Sequence, residues 1–406
     1  PGICCHELGC NMPSRVAIDG RGDVYVASRG FQMQGTVTKV AGALEDCVDR
    51  NNNGLIDTSD GVEALDYGQD ECVLYTAPVG EVDAILRGLT IDGGDEDHPE
   101  GYLWVGGYNS RRWYKVDPST GAVIVTVDVD TDPYSGGVTS DGLLWSGPIR
   151  DDRIVSINTR TYEVSAPIPV PSEGRTCSHI NHAYGIAIDA RDRIWLPGSH
   201  CRDVMGYDPA LRAWTRVDLT ARGMVLGRGI SVDTQGRVWA LAGYDSPNPG
   251  VYIWEADAFV PGGTVRDFGY LQFPPEVQGP SGVGFGREGE VWALFYLSSH
   301  VMRIDPRTLQ MQVFTGPEQP YTYSDFTGSV RRGVFGAGRY EDIIDAGCAD
   351  PQWRDLRWNA EVPAGGRVAL TFTTAPSTEE LDGRTIAGPV VIPGAQPPVP
   401  MDELIV

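Results

Sequence analysis

The stretch Gly185-Ile-Ala-Ile-Asp189-Ala-Arg-Asp-Arg-Ile-Trp195-Leu-Pro-Gly198 decides how the rest of the chain is read. Apolar and polar residues alternate up to Ile188. A polar turn opens at Asp189. A second alternating run then carries Trp195. Period-two alternation on both sides of a turn is the signature of a β-hairpin with one buried face. The same pattern returns at residues 15–28, 88–107, 137–147, 229–243 and 282–296, and in shortened form at 328–338. Each copy places an aromatic at one position of its second strand: Tyr25, Trp104, Trp145, Trp195, Trp239, Trp292 and Phe335. Asp19, Asp92, Asp141, Asp189 and Asp233 open the turns, while Gly286 and Arg332 take that place in the last two copies.

A weaker element follows most hairpins, as in Tyr114-Lys-Val-Asp117-Pro-Ser-Thr120 and Met302-Arg-Ile-Asp305-Pro-Arg-Thr308. It reads as a third strand entering a turn from which a fourth returns. No amphipathic run of helical period competes with this pattern. A four-stranded meander every ~40–50 residues cannot bury both of its faces alone, so such units stack around an axis as the blades of a β-propeller. The expected fold is therefore all-β. Seven hairpins predict seven blades over residues 13–340, with six as the alternative, and the repeated aromatic is expected between blades as core.

The hairpin G-[IL]-x-x-D-x-x-G-x-[IVL]-W and the following D-P-x-T turn resemble the seven-bladed propellers of the streptogramin B lyase (virginiamycin B lyase) type, and more distantly NHL-repeat and gluconolactonase-like propellers. In those lyases Gly-Pro-His-Gly segments enter several innermost strands, and their histidines form a metal-assisted site over the central channel. At the matching entrances this chain has Ser281 and Arg228. The lyase constellation is not reproduced there.

The expected ligand site is the channel mouth, where loops entering the innermost strands converge. Arg15, Arg87, Tyr184, Arg228, Ser281 and Asp325 stand at such entrances. Three arginines there suit a carboxylate or other small anion. His179 and His182 precede one inner strand and are the weak candidates for acid–base chemistry.

The sharpest motif lies in an insertion over residues 44–73: Asp49-Arg-Asn51-Asn-Asn53-Gly54-Leu55-Ile56-Asp57-Thr-Ser-Asp60. It fits the EF-hand or dockerin-type loop D-x-[DN]-x-[DN]-G-x-[IL]-x-x-x-[DE]. Calcium takes six to eight oxygens. Asp49, Asn51, Asn53, the Leu55 carbonyl, Asp57 and Asp60 are the expected ligands for Ca2+, with Ile56 buried beneath them.

The formal net charge of −23 excludes sequence-independent binding to nucleic acid, which needs clustered cations. No apolar run reaches membrane-spanning length, so no membrane insertion is expected. Eight cysteines without a CxxC pattern predict an exported, disulfide-bonded protein, secreted or at a cell surface. The expected pairs are Cys47–Cys72 across the insertion and Cys177–Cys201 across a hairpin. The pairing of Cys4, Cys5, Cys10 and Cys348 stays open. Pro1 in place of Met predicts a trimmed N-terminus.

Residues 1–12 form a Cys-rich segment. Residues 341–406 read as two strands joined by Pro363-Ala-Gly-Gly366 and a Pro-rich extended end from Gly388, together a partial β-sandwich or strand-rich tail. The function this implies is a calcium-binding module that binds a protein partner, self-assembles, or takes a small anion. The alternative is an enzyme over the channel, a C–O lyase or a lactonase.

Overall fold

The computed structural model describes residues 12–59, 65–66, 68–175, 177, 184–198, 201–222, 226–286, 288–323, 325–328 and 347, and the backbone of Arg367–Thr373 and Thr385–Pro393. The chain divides into two compact units, Pro1–Arg339 and Tyr340–Val406.

The first unit is a β-propeller with six blades among the described residues. Each is an antiparallel four-stranded meander. The innermost strands are Pro13–Ile18, Leu86–Ile91, Ser135–Val138, Ala187–Ile188, Leu226–Val232 and Pro280–Phe285. They neighbour one another in that order around the axis. After the sixth blade the chain comes back to the first: Gly328 lies against Ile18, and Tyr323 against Arg15. Six blades, the alternative count, are seen among the described residues. The seventh hairpin, from residue 329 on, lies outside the described residues. Blade 4 carries a fifth strand, Thr264–Val265, which pairs in parallel with its outer edge Ala213–Asp218.

Why the hairpin motif needs its particular residues is now visible. In blade 4, Asp189 Oδ1 accepts the turn amides of Arg191 and Arg193, at 2.9 and 3.1 Å. Its Oδ2 accepts Trp195 Nε1 at 2.9 Å. Asp233 does the same for Gln235, Arg237 and Trp239, and Asp92 for Gly94, Tyr102 and Trp104. Asp19 caps its turn and accepts the Tyr25 hydroxyl at 3.1 Å. One carboxylate thus satisfies the turn and the polar end of the buried aromatic together. Where Gly286 replaces the Asp, Glu290 accepts Trp292 Nε1 instead, at 3.1 Å.

Tyr25, Trp104, Trp195 and Trp239 are wholly buried, and Trp145 nearly so. Trp292 is only half-buried, and Phe335 lies outside the described residues. Trp195 meets Trp254 of blade 5 edge-on at 5.9 Å, and Trp239 meets Phe285 of blade 6 at 6.2 Å. Each such ring removes on the order of 5 kcal/mol of apolar surface from water.

Both lysines of the chain, Lys39 and Lys115, are buried. Lys39 pairs with Asp23 at 2.9 Å and with Asp19 at 3.8 Å, and reaches the Pro118 carbonyl of blade 2. Lys115 repeats this one blade later, beside Asp92 and bonded to the Thr159 carbonyl of blade 3. They tie neighbouring blades together.

In the second unit, Arg367–Thr373 pairs antiparallel with Thr385–Pro393, Ala369 opposite Val391. The sequence reading pairs 367–373 with the stretch before Pro363 and treats the end from Gly388 as extended and Pro-rich. The observed partner strand runs through that end to Pro393, and residues 355–366 lie outside the described residues. Among the described residues no helix is long and apolar enough to cross a membrane.

Candidate functional site

Where the six inner strands converge, arginines and tyrosines collect. Arg15 leaves the inner strand of blade 1 and crosses the axis. Its Nε donates to the Arg87 carbonyl of blade 2 at 2.6 Å. Its Nη2 donates to the carbonyls of Tyr134, at the entrance to blade 3, and Tyr184, at the entrance to blade 4. Its guanidinium carbon lies 3.5 Å from the centre of the Tyr323 ring. Arg15 is only 1% exposed and plugs the channel. On the channel side it is joined by Ile18, Leu89, Val138 and Ile188, so the space beneath it is mainly apolar.

Around this plug stand Arg29, Arg87 and Arg228, all half-buried. Arg87 Nη1 donates to the Tyr323 hydroxyl at 2.8 Å. Arg228 lies 3.9 Å from the Tyr244 ring centre and 5.1 Å from that of Tyr184. Arg29 faces Tyr321 at 5.5 Å. The tyrosines pack against one another: Tyr184 edge-on to Tyr323 at 4.6 Å, Tyr134 edge-on to Tyr184 at 5.1 Å, and the Tyr184 and Tyr321 hydroxyls 3.1 Å apart. Among the described residues none of these four arginines forms an ion pair with a carboxylate. One guanidinium nitrogen of Arg15, Nη1, and the Nε of Arg87 are buried without any hydrogen-bond partner.

The electrostatics follow from that imbalance. Burial pulls the Arg15 guanidinium below its ordinary value, opposed by Tyr323 and Tyr134. Burial also works against Arg87, but the surrounding tyrosines hold it above the usual arginine value. Burial pushes Tyr134, Tyr184 and Tyr321 up. Tyr323 is the exception. Burial alone would raise it. Arg15 and Arg87, with hydrogen bonding to Tyr134 and Tyr321, bring it down to about 7.

Of the expected mouth residues, Arg15, Arg87, Tyr184 and Arg228 are brought together. Asp325 lines the channel below, beside Arg15 and Tyr323, and accepts the Thr327 amide at 3.2 Å. Ser281 is fully buried, its hydroxyl 3.3 Å from the Leu294 and Pro320 carbonyls. It fastens the inner strand of blade 6 rather than facing a ligand. His179 and His182 lie outside the described residues. Sequence reading missed Arg29, Tyr134, Tyr321 and Tyr323. Their signal was present: Tyr134 and Tyr184 sit one or two residues before the glycine that starts an inner strand, and Tyr321-Thr-Tyr323 precedes the last hairpin.

The insertion in blade 1 sits between the strands Gln34–Val40 and Val73–Val82. Cys47 and Cys72 are bonded across its base, Cα atoms 4.4 Å apart. Asn51 and Asn53 both direct Nδ2 at Asp57 Oδ2, at 2.7 and 3.0 Å. Asp49 accepts the amides of Asn53 and Gly54, and Gly54 turns the chain at φ +82°. Ile56 is half-buried rather than buried, and Leu55 is exposed. Asp60 lies outside the described residues. Sequence reading missed Glu71, which is 2% exposed and clamps both arms of the loop by accepting the amides of Arg50, Asn51 and Asp57. Cys177 is bonded to Cys201, and beside that bridge Arg175 pairs with Asp203 at 2.9 Å.

No family model matches the sequence, and no curated protein matches it. Solved structures do. Virginiamycin B lyase from Staphylococcus aureus superposes with a TM-score of 0.56 at 12% identity, over 77% of this chain and 88% of the lyase. A streptogramin B lyase gives 0.55 at 13%, over 79% and 89%. A protein from Lactobacillus plantarum gives 0.52 at 11%, over 78% and 89%. The chain has the fold of streptogramin B lyase-like β-propellers. Identities this low carry the architecture and no activity.

Proposed function

We propose that this chain is an exported binding module whose propeller takes a small oxyanion, such as a carboxylate, at the Arg/Tyr mouth, and whose 49–60 loop holds a structural Ca2+. The observation that carries the reading is the unbalanced charge. Arg15, Arg29, Arg87 and Arg228 gather without an ion pair to a carboxylate among the described residues, in a protein of net charge −23, with Asp325 bordering the channel beside Arg15. Burying cations costs free energy unless an anion or π-face compensates. The tyrosine faces do part of this, and the buried, partnerless nitrogens of Arg15 and Arg87 leave room for an anion to do the rest. Export is supported by the two disulfides, which persist in oxidising compartments. Calcium is supported by the spacing of Asp49, Asn51, Asn53 and Asp57, which carry hard oxygens of the kind the ion prefers, in a loop locked at its base by Cys47–Cys72.

The lyase or lactonase alternative rests on His179 and His182 and on the fold. The binding reading rests on the arginines and tyrosines that occupy the mouth. A protein partner or self-assembly would use the same exported scaffold. Calorimetric titration with benzoate and with sulfate tests the mouth. Binding that weakens at least about tenfold in Arg87→Met and in Arg228→Met supports it, since a charge-assisted hydrogen bond is worth roughly 1.5–3 kcal/mol. Binding indifferent to both substitutions would remove the mouth as the site.

A further inference from the structure

The buried Arg15 and the half-buried Arg87 both bear on Tyr323 with no acid between them. Arg87 Nη1 donates to its oxygen at 2.8 Å, and the Arg15 guanidinium lies over its ring at 3.5 Å. Tyr323 is itself 2% exposed, so solvent screens none of this. The other charged and titratable groups facing it come from every side. Tyr134 and Tyr184 lie at the entrances to blades 3 and 4. Tyr321 is on its own segment, and Arg228 and Arg29 stand farther out. Asp325, two residues on, borders the channel below. Among these groups the Tyr323 oxygen accepts from the Arg87 guanidinium, which also lies 4.9 Å from the Tyr134 ring centre. When protonated, the Tyr323 hydroxyl donates to the Tyr134 oxygen, 3.3 Å away.

We infer that Tyr323 is the mouth's own anion: in the free protein its ionised oxygen offsets one of the two charges of Arg15 and Arg87, and an incoming oxyanion takes over that role and drives a proton onto Tyr323. This rests on the anion-binding reading above. The free protein therefore exchanges one negative charge for another, and the ligand is taken up together with a proton. The proton comes from solvent and ends on the Tyr323 oxygen, so no bond of the ligand is broken. The direction to about 7 noted for Tyr323 places the exchange near neutral pH. Below that range Tyr323 is already protonated, and the arginines wait uncompensated for the anion. Above it the anion must displace a phenolate, so affinity falls by up to about tenfold per pH unit.

The test needs no knowledge of the natural ligand. The near-ultraviolet absorption of tyrosinate is followed from about pH 5 to 9 in the whole chain, in Tyr323→Phe and in Arg87→Met. Benzoate, which does not titrate in that range, is then bound at about pH 6 and pH 8 in buffers of differing ionisation heat, which counts the protons taken up. The expected result is one tyrosinate transition near neutral pH, absent in Tyr323→Phe and shifted upward in Arg87→Met. With it should come close to one proton taken up per benzoate at pH 8 and close to none at pH 6. Tyr323→Phe should bind benzoate with no pH slope. Benzoate binding without any neutral tyrosinate transition overturns the inference and leaves the anion site standing. A neutral transition in a protein that binds no anion at pH 6 overturns the anion site, and the coupling with it. A transition that survives in Tyr323→Phe assigns the charge to another tyrosine and also overturns the inference.

Discussion

The guanidinium carbon of Arg15 lies over the ring of Tyr323, 3.5 Å from its centre, although the two residues are separated by almost the whole length of the propeller. Arg15 belongs to the first inner strand, and Tyr323 to the segment that follows the last described blade. Their contact, with the bonds from Arg15 to carbonyls at the entrances of blades 2, 3 and 4, makes one side chain the cross-brace of the ring. A propeller closes only if its first and last blades meet. Here a buried cation helps them do so.

Arg15→Met should therefore destabilise far more than a typical surface change. Three buried carbonyls lose their donor, and each unsatisfied group costs about 1–3 kcal/mol. A loss of at least about 3 kcal/mol in denaturant unfolding is expected. Arg15→Lys should recover little of it, because a point charge cannot fork to several acceptors. Arg228→Met, at the half-buried rim, should cost only about 0.5–2 kcal/mol, the range of a cation–π contact. Equal losses for Arg15→Met and Arg228→Met in the same unfolding series would contradict the brace.

Lys39→Met should be costly at neutral pH and less so in acid. It leaves Asp19 and Asp23 buried without their cation, a change worth about 3–5 kcal/mol. The Asp19 carboxyl already lies above its ordinary value, through burial first and Asp23 second, with Lys39 pulling the other way. Without Lys39 it rises further. A carboxyl whose folded value exceeds its unfolded one is penalised at pH above the folded value and relieved as pH falls through it. The gap in stability between Lys39→Met and the parent should therefore shrink from about pH 7 toward pH 5. Melting temperatures across that range check it, and a gap that widens in acid would be the wrong sign.

Burial of both lysines gives a chemical prediction. Amine-reactive reagents should spare Lys39 and Lys115 in the folded protein and modify both once it is unfolded. Peptide mapping by mass spectrometry reads this directly. Rapid native labelling of either residue would contradict the inter-blade ties.

The blades were legible in the sequence because hairpin periodicity is local: alternation, turn and aromatic all lie within about fifteen residues of one another. The mouth was only half legible. Arg15 could be placed because it opens the first hairpin, and Arg87, Tyr184 and Arg228 because each directly precedes the glycine that opens a hairpin. Tyr323 could not, since its importance comes from Arg15 and Arg87, hundreds of residues away in sequence, and burial at the axis is a property of ring closure. Ser281 was misjudged for a related reason. Position at a strand entrance does not tell which way a small side chain points, and two carbonyls claim its hydroxyl. The turn at Gly54 was legible in the spacing of the 49–60 loop, whereas Glu71 was not, because it clamps the loop from beyond the motif's end.

Chelation should lower the melting temperature of the oxidised protein, and calcium at about 100 times its dissociation constant should restore about 2.7 kcal/mol. Asp49→Ala and Asp57→Ala should abolish that response, since both side chains belong to the loop. The bridge Cys47–Cys72 closes 25 residues of sequence separation and should contribute ~3–4 kcal/mol independently. Reduction should therefore destabilise Asp49→Ala as well. A chelator effect that persists in Asp49→Ala would place the ion elsewhere.

The capping aspartates supply the most discriminating comparison. Asp189 holds two turn amides, the Trp195 indole and Arg193 Nε at once, and is 2% exposed. Asp141 begins the equivalent turn of blade 3 but is exposed and serves Thr139 and, weakly, the Leu143 amide. The indole nitrogen of Trp145, its neighbour across the hairpin, is buried with no partner. Asn in place of Asp keeps the shape but offers one acceptor oxygen instead of two and no charge. Asp189→Asn must therefore abandon either the turn or the indole, and also loses the buried pair with Arg193 at 2.7 Å. It should cost about 3–5 kcal/mol, the range for breaking a buried ion pair. Asp141→Asn should cost less than about 1 kcal/mol, as a surface change with little to lose. Chemical denaturation of the two variants side by side measures the difference. Similar costs would mean that the Asp–Trp bond is incidental to the motif, and that the aromatic alone accounts for its recurrence.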